Sequence, residues 1–141
     1  MNDVITKEHV FNHTIDKVWS AITKADEIST WFLAADFKAE KGYQYTFKSK
    51  DDHCEPILGE VLEATPYTLV YTWVVEGTEA ITKVTWNLEP FKDGTRLNLE
   101  HSGIANYKGE TAVTMFENFN GGWDNCFNLL SNYLQELVHA G

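Results

Sequence analysis

Between Phe37 and His101 apolar side chains recur at every second position, whereas from Trp123 onward they recur at every third and fourth. The first period belongs to a half-buried strand and the second to one face of a helix. Turn chemistry divides the first stretch. Lys41-Gly42 precedes residues 43–47, a polar run at 49–53 precedes 57–64, and Thr65-Pro66-Tyr67 precedes 69–75. Glu76-Gly77-Thr78 then precedes residues 81–88, and Asp93-Gly94 precedes 95–101. An Asp-Gly pair between alternating runs is the strongest short hairpin signal. With a strand near Phe37, the pattern predicts a meander of about six antiparallel strands.

The two ends of the chain supply the remaining elements. Residues 4–11 are β-branched and alternating, and they end at Asn12-His13-Thr14. Thr14 or Asp16 is placed to cap a short helix carrying Val18, Trp19 and Ile22 at helical spacing. Residues 24–32 predict a second short helix, with Ile28, Trp31 and Phe32 on one side. At the far end Trp123, Phe127, Leu130, Leu134 and Leu137 form a stripe along one helix face. That helix is expected to begin near Thr111, with Ala112, Met115, Phe116 and Phe119 as a first segment and Gly121-Gly122 as a kink or a narrow point. Strand, two short helices, meander and long amphipathic helix have one economical packing: the sheet curls around the last helix. This is an α+β fold, and large rings on both faces leave room for a cavity between sheet and helix.

At 141 residues the chain has the length of one domain. Charged residues (23%) and hydrophobic residues (43%) are in a globular balance, and 13% of the chain is aromatic. The formal charge is −10 with Arg96 as the sole arginine, which disfavours nucleic acid and anionic membrane as partners. Cys54 and Cys126 lie far apart without metal-ligand doublets, and both read as free thiols in a reducing compartment. The opening residues lack the pattern of a targeting peptide, and no run approaches the roughly 20 apolar residues of a membrane span. The default expectation is cytoplasmic.

Several ordered pieces together resemble one family. They are Val18-Trp19-Ser20-Ala21-Ile22-Thr23, Trp31-Phe32, Gly59-Glu60-Val61-Leu62-Glu63, Leu69-Val70-Tyr71-Thr72-Trp73, Thr95-Arg96-Leu97-Asn98-Leu99-Glu100-His101 and Gly122-Trp123. The chain resembles the family named after the activator of the heat-shock protein 90 ATPase, within the START-like, birch-pollen-allergen-like SRPBCC superfamily. The resemblance implies a helix-grip fold, in which a curved antiparallel sheet holds a C-terminal helix over a hydrophobic cavity. Superfamily members include lipid and polyketide binders, hormone receptors, aromatase/cyclases and co-chaperone domains, and fold does not choose among them.

Parity places Tyr43, Tyr45 and Phe47 on one face of their strand and Tyr71 with Trp73 on one face of theirs. Together with Trp31, Trp86, Met115, Phe119, Trp123 and Phe127 they are expected to line a pocket for a flat or acyl-chain ligand. Ordinary core packing is the competing reading for each ring singly. His101 shares parity with Leu97 and Leu99, so its imidazole is expected inside, as a polar anchor for a ligand or as a neutral histidine satisfied by the backbone.

Other polar groups carry less. Glu60 and Glu63, an odd number of positions apart, are expected on opposite faces of their strand, which rules out a simple facing acid pair. The run Asp51-Asp52-His53-Cys54-Glu55 lacks defined ligand spacing, and His9 and His13 lie about 13 Å apart on a strand, too far to share an ion. Neither a metal nor a cofactor is expected, and glycine-rich phosphate loops are lacking.

Three functions compete. The first is non-enzymatic binding of a small hydrophobic or aromatic molecule (lipid, polyketide-like or flavonoid-like), with residues 103–109 as a flexible entrance loop. The second is a module that binds a chaperone and stimulates its ATPase. Full-length eukaryotic activators carry a further N-terminal domain with basic contact residues, which these residues do not contain. The third is a cyclase or hydrolase, for which His101 is the one titratable candidate and has no assignable nucleophile.

Overall fold

A computed structural model describes residues 4–49, 56–107 and 109–140, apart from the side chains beyond residue 136. The acidic run at 51–55, with Cys54, lies outside the described residues, as does the side chain of Leu137. The chain runs β1 (Ile5–Phe11), α1 (Ile15–Thr23), α2 (Ala25–Trp31), β2 (Ala34–Asp36), β3 (Gln44–Lys48), β4 (Ile57–Thr65) and β5 (Thr68–Val75). It continues through β6 (Thr82–Phe91), β7 (Gly94–Ser102), a 3-10 turn (Ile104–Asn106) and α3 (Glu110–Ala140). Among the described residues the strands form one antiparallel sheet of seven, in the order β1-β7-β6-β5-β4-β3-β2. The molecule is α+β with a helix-grip architecture.

Alternation decides what the sheet buries. Leu69, Tyr71 and Trp73 of β5, Thr82, Val84, Trp86 and Leu88 of β6, and Thr95, Leu97, Leu99 and His101 of β7 are all buried. The intervening positions are exposed or half-buried, so one face is core and the other meets water. On α3, whose 31 residues span about 46 Å, Trp123, Cys126, Phe127, Leu130 and Leu134 are buried against that core. The short helices are tied in by specific bonds. Thr14 caps α1 by accepting from the Lys17 amide, Trp31 Nε1 donates to the Ala21 carbonyl at 2.8 Å, and Tyr133 of α3 donates to Glu27 of α2 at 2.8 Å.

Four local expectations are corrected. Phe91 pairs with Gly94, so the β6–β7 loop is Lys92-Asp93, one position earlier than Asp93-Gly94. Lys92 takes the left-handed conformation (φ 55°), while Gly94 stays small because a Cβ there would overlap the Phe11 carbonyl of β1. In β4 the pairing with β5 shifts between Val61 and Glu63. This bulge resets the parity, so Glu60 and Glu63 are both exposed instead of facing opposite sides. Helix α3 runs unbroken through Gly121 and Gly122, both exposed, and among the described residues none crowds either one.

The fourth concerns residues 103–109. The expected entrance loop contains a packed 3-10 turn: Ile104 and Tyr107 are buried, and Asn106 Nδ2 donates to the Ile81 carbonyl at 2.7 Å. Two apolar anchors around a left-handed Gly103 hold the turn against the fold.

Candidate functional site

Strand β5 brings Trp73 beneath α3, and α3 brings Trp123 down onto it, with ring centroids 5.2 Å apart. The end of α2 adds Phe32, which stacks on Trp31 at 5.1 Å and faces Trp123 at 6.4 Å. Phe47 of β3 closes the third side, edge-on to Phe32 at 5.8 Å and 6.2 Å from Trp73. Between these elements lies a cavity of about 300 Å³. Its walls are Phe32 and Leu33 after α2, Phe47 of β3 with Ser49 just beyond it, Ile57 of β4 and Trp73 of β5. Its roof is the α3 segment bearing Asn118, Phe119, Gly122, Trp123 and Asn125.

One polar chain runs through the aromatic floor. Trp123 Nε1 donates to His101 Nδ1 at 2.9 Å, and His101 Nε2 lies 2.7 Å from Thr82 Oγ1, which itself donates to the Trp73 carbonyl at 2.9 Å. Because Nδ1 accepts, the neutral ring carries its hydrogen on Nε2, and every member of the chain is satisfied. Burial lowers the His101 pKa from 6.5 to about 4, since no water remains to solvate an imidazolium. By contrast, Trp73 Nε1 is buried with no partner among the described residues, although other atoms of its side chain border the cavity.

Of the residues expected to line a pocket, Phe47, Trp73, Phe119 and Trp123 meet at this cavity. The rest sit elsewhere. Tyr45 crosses to donate to the Thr72 carbonyl, and Tyr71 accepts from Trp86 Nε1 at 2.8 Å. Both are buried, and burial pushes both phenols above their ordinary range. Tyr43 is half-buried and donates to Asp36, and Met115 packs at the core margin. Trp31 stacks behind the wall ring Phe32, whereas Phe127 lies away from the cavity, 6.2 Å from Trp86. His101 sits one layer below the cavity, 4.6 Å from Phe119. Burial also raises the Cys126 thiol, which leaves it inert.

Sequence reasoning missed Phe32, Leu33, Ser49, Ile57, Asn118, Gly122 and Asn125 as wall residues. Part of the signal was present: Asn118, Gly122 and Asn125 are spaced by four and three, the face that flanks the buried stripe of α3. A depression of about 290 Å³ on the outer sheet face is a different kind of place. Thr6, Glu8, Asn98 and Glu100 line it, and they are water-facing side chains of adjacent strands.

A curved sheet gripping a long helix over an aromatic-walled cavity defines the class of cavity-forming helix-grip proteins. Within that class the chain belongs to the family described as Activator of Hsp90 ATPase homolog 1-like protein, whose model matches residues 12–135. No curated protein matches the sequence significantly. Three solved structures are similar. A protein of Mesorhizobium loti is 26% identical with a TM-score of 0.84, over 94% of this chain and 97% of its own. A Bacillus halodurans protein is 29% identical with a TM-score of 0.76, over 95% of this chain and 97% of its own. CalU16 of Micromonospora echinospora is 25% identical with a TM-score of 0.76, over 96% of this chain and 79% of its own.

Proposed function

We propose that this protein binds a small hydrophobic or aromatic molecule, of lipid, polyketide-like or flavonoid-like type, in the cavity between sheet and α3. One observation carries the reading. Five rings (Phe32, Phe47, Trp73, Phe119 and Trp123) border a half-open cleft of about 300 Å³ between sheet and helix. The cleft is open to solvent, so its ring faces meet water, and that apolar area is what a ligand would bury. The volume matches the small end of the range for ligand pockets.

The catalytic reading draws little support here. Both ring nitrogens of His101 are engaged inside the protein, so the imidazole is not free to exchange a proton with a bound substrate. The chaperone reading is favoured by the description of the family. Against it stand a net charge of −10 and a single arginine, which is occupied by Glu8 and Glu89 at 3.2 and 3.0 Å.

An amide NMR titration with fatty acids, sterols, flavonoids and polyketide-like aromatics tests the proposal. Saturable shifts centred on Trp73 and residues 118–125 are expected for one chemical class. A well-dispersed spectrum unmoved by every class, together with stimulation of the chaperone ATPase by this protein, would transfer the assignment to the second reading.

A further inference from the structure

Helix α3 is held unevenly along its length. In its second half Trp123, Cys126, Phe127, Leu130 and Leu134 are buried, Asp124 pairs with Lys7 of β1 at 2.9 Å, and Tyr133 donates to Glu27 of α2. Within residues 110–120 only Ala112 is buried, while Met115, Phe116 and Phe119 are half-buried and Val113 is exposed. Among the described residues, no side-chain hydrogen bond or ion pair ties this first segment to another element. Isolated helices shorter than about 12–15 residues are marginal in water, and most helical stability in a protein comes from the buried face. The first segment therefore stands mainly through its continuity with the second.

Glycine stands at both limits of that segment. Gly109 precedes it with φ 56°, a conformation that glycine adopts without strain, and among the described residues nothing lies within 4 Å of a Cβ built there. Gly121 and Gly122 follow it, both exposed, and Asn118 and Asn120 beside them are poor helix formers as well. Beyond each glycine site the chain is fixed, by buried Ile104 and Tyr107 on one side and buried Trp123 on the other. As helix, residues 110–120 cover about 16 Å, whereas the same residues unwound reach up to about 37 Å. Unwinding therefore gives the segment slack to leave the sheet while both anchors stay seated.

The segment also borders the cleft, through Asn118 and Phe119, with Gly122 at its pivot. A bound small molecule has most of its surface buried, about 70–90%. A half-open cleft does not enclose a molecule to that extent, so an element at its mouth has to move. Elements with few buried apolar contacts open first, and here that element is residues 110–120. We propose that these residues form a strap between two glycine pivots, Gly109 and Gly121-Gly122, which unwinds as a unit to admit a molecule to the cleft and then settles against it. The inference rests on the binding function proposed above and concerns how that site is entered and closed.

Native-state amide exchange on the free protein tests the strap without any ligand. Amides of residues 114–120 are expected to exchange together, at least about 100-fold faster than those of residues 126–134, and with a shallower dependence on urea. Gly121→Ala should raise their protection about fivefold, the helix preference of alanine over glycine. Binding kinetics test the role in entry, with N-phenyl-1-naphthylamine as a neutral fluorescent probe. Gly121→Ala should slow its association and dissociation alike, by about fivefold, and leave Kd unchanged, because the closed forms with and without probe are stabilised equally.

Protection that is uniform along α3 overturns the strap, and this wild-type result stands whatever the variant does. Unchanged probe rates in a variant whose strap amides are better protected overturn its role in entry. Saturable binding neither by the probe nor by the compounds of the NMR titration overturns the binding reading and the role in entry with it, while the exchange pattern still decides whether residues 110–120 unwind as a unit.

Discussion

Trp123 donates its indole hydrogen to Nδ1 of His101 at 2.9 Å, and this bond fixes the tautomer of a fully buried histidine. The sole hydrogen of the neutral imidazole then sits on Nε2, directed at Thr82, whose own hydrogen goes to the Trp73 carbonyl. A second proton would have to enter at Nδ1 and confront the Trp123 N–H. The chain therefore links α3, β7, β6 and β5 only while His101 is neutral.

Stability should accordingly fall as the solution is acidified. The folded pKa is about 4 against 6.5 for the ordinary group, so the unfolded chain takes up the proton first. The stabilisation is whole above pH 6.5 and is lost between pH 6.5 and 4, by roughly 3 kcal/mol in all. Urea unfolding at stepped pH should show this slope in the wild type, and His101→Phe should lack it. Parallel profiles for the two proteins would mean that the histidine is not held neutral.

Thr82 is the joint of the same chain. Thr82→Val keeps the shape of the side chain and removes the hydroxyl, leaving the His101 Nε2–H without its acceptor. The expected loss is roughly 1–3 kcal/mol, and Thr82→Ser should recover most of it. Equal destabilisation by Val and Ser would assign the effect to packing of the methyl group instead.

Glycines on the two layers should respond with opposite signs. A Cβ at Gly59 would overlap the Thr72 carbonyl and the Tyr45 ring, which lies across the strand to reach that same carbonyl. Gly59→Ala should lose roughly 1–3 kcal/mol, as overpacked cores do. Gly121 meets nothing within 4 Å and stands inside α3, so Gly121→Ala should gain about 1 kcal/mol from helix propensity. Thermal or urea unfolding of the two variants settles both signs, and a destabilised Gly121→Ala would show that the helix needs its glycine.

The architecture was legible because it depends on periodicity. Leu69, Tyr71 and Trp73 on one strand and Phe127, Leu130 and Leu134 on the helix each announce a buried face, and chain order then leaves one way to pair those faces. Where one residue breaks the count, the reading slipped: the bulge at residues 61–63 left Glu63 exposed as Glu60 is, and Gly94 was assigned to a turn when its smallness serves the contact with Phe11. The cavity was harder still. Parity shows that Tyr45 and Trp73 both face inward, but not that Tyr45 spends its hydroxyl on Thr72 while Trp73 keeps an unpartnered N–H. Phe32 and Ile57 come from a helix end and a strand start, and they become neighbours of α3 only through the curl of the sheet.

Gly122 offers the sharpest separation of stability from binding. It lines the cavity, and a Cβ built there meets nothing within 4 Å, so a larger side chain has space to enter without displacing core atoms. Gly122→Leu replaces the poorest ordinary helix residue with one of the better ones, so the fold should gain about 1 kcal/mol in urea unfolding. The same side chain fills volume that a ligand would need, and affinity for any cavity-bound probe should fall about 5- to 150-fold, since overpacking a filled site typically costs about 1–3 kcal/mol. A variant that is more stable and still binds with wild-type affinity would place the ligand away from α3. A variant that loses binding while gaining stability ties recognition to the space beneath Gly122, because unfolding cannot then explain the loss.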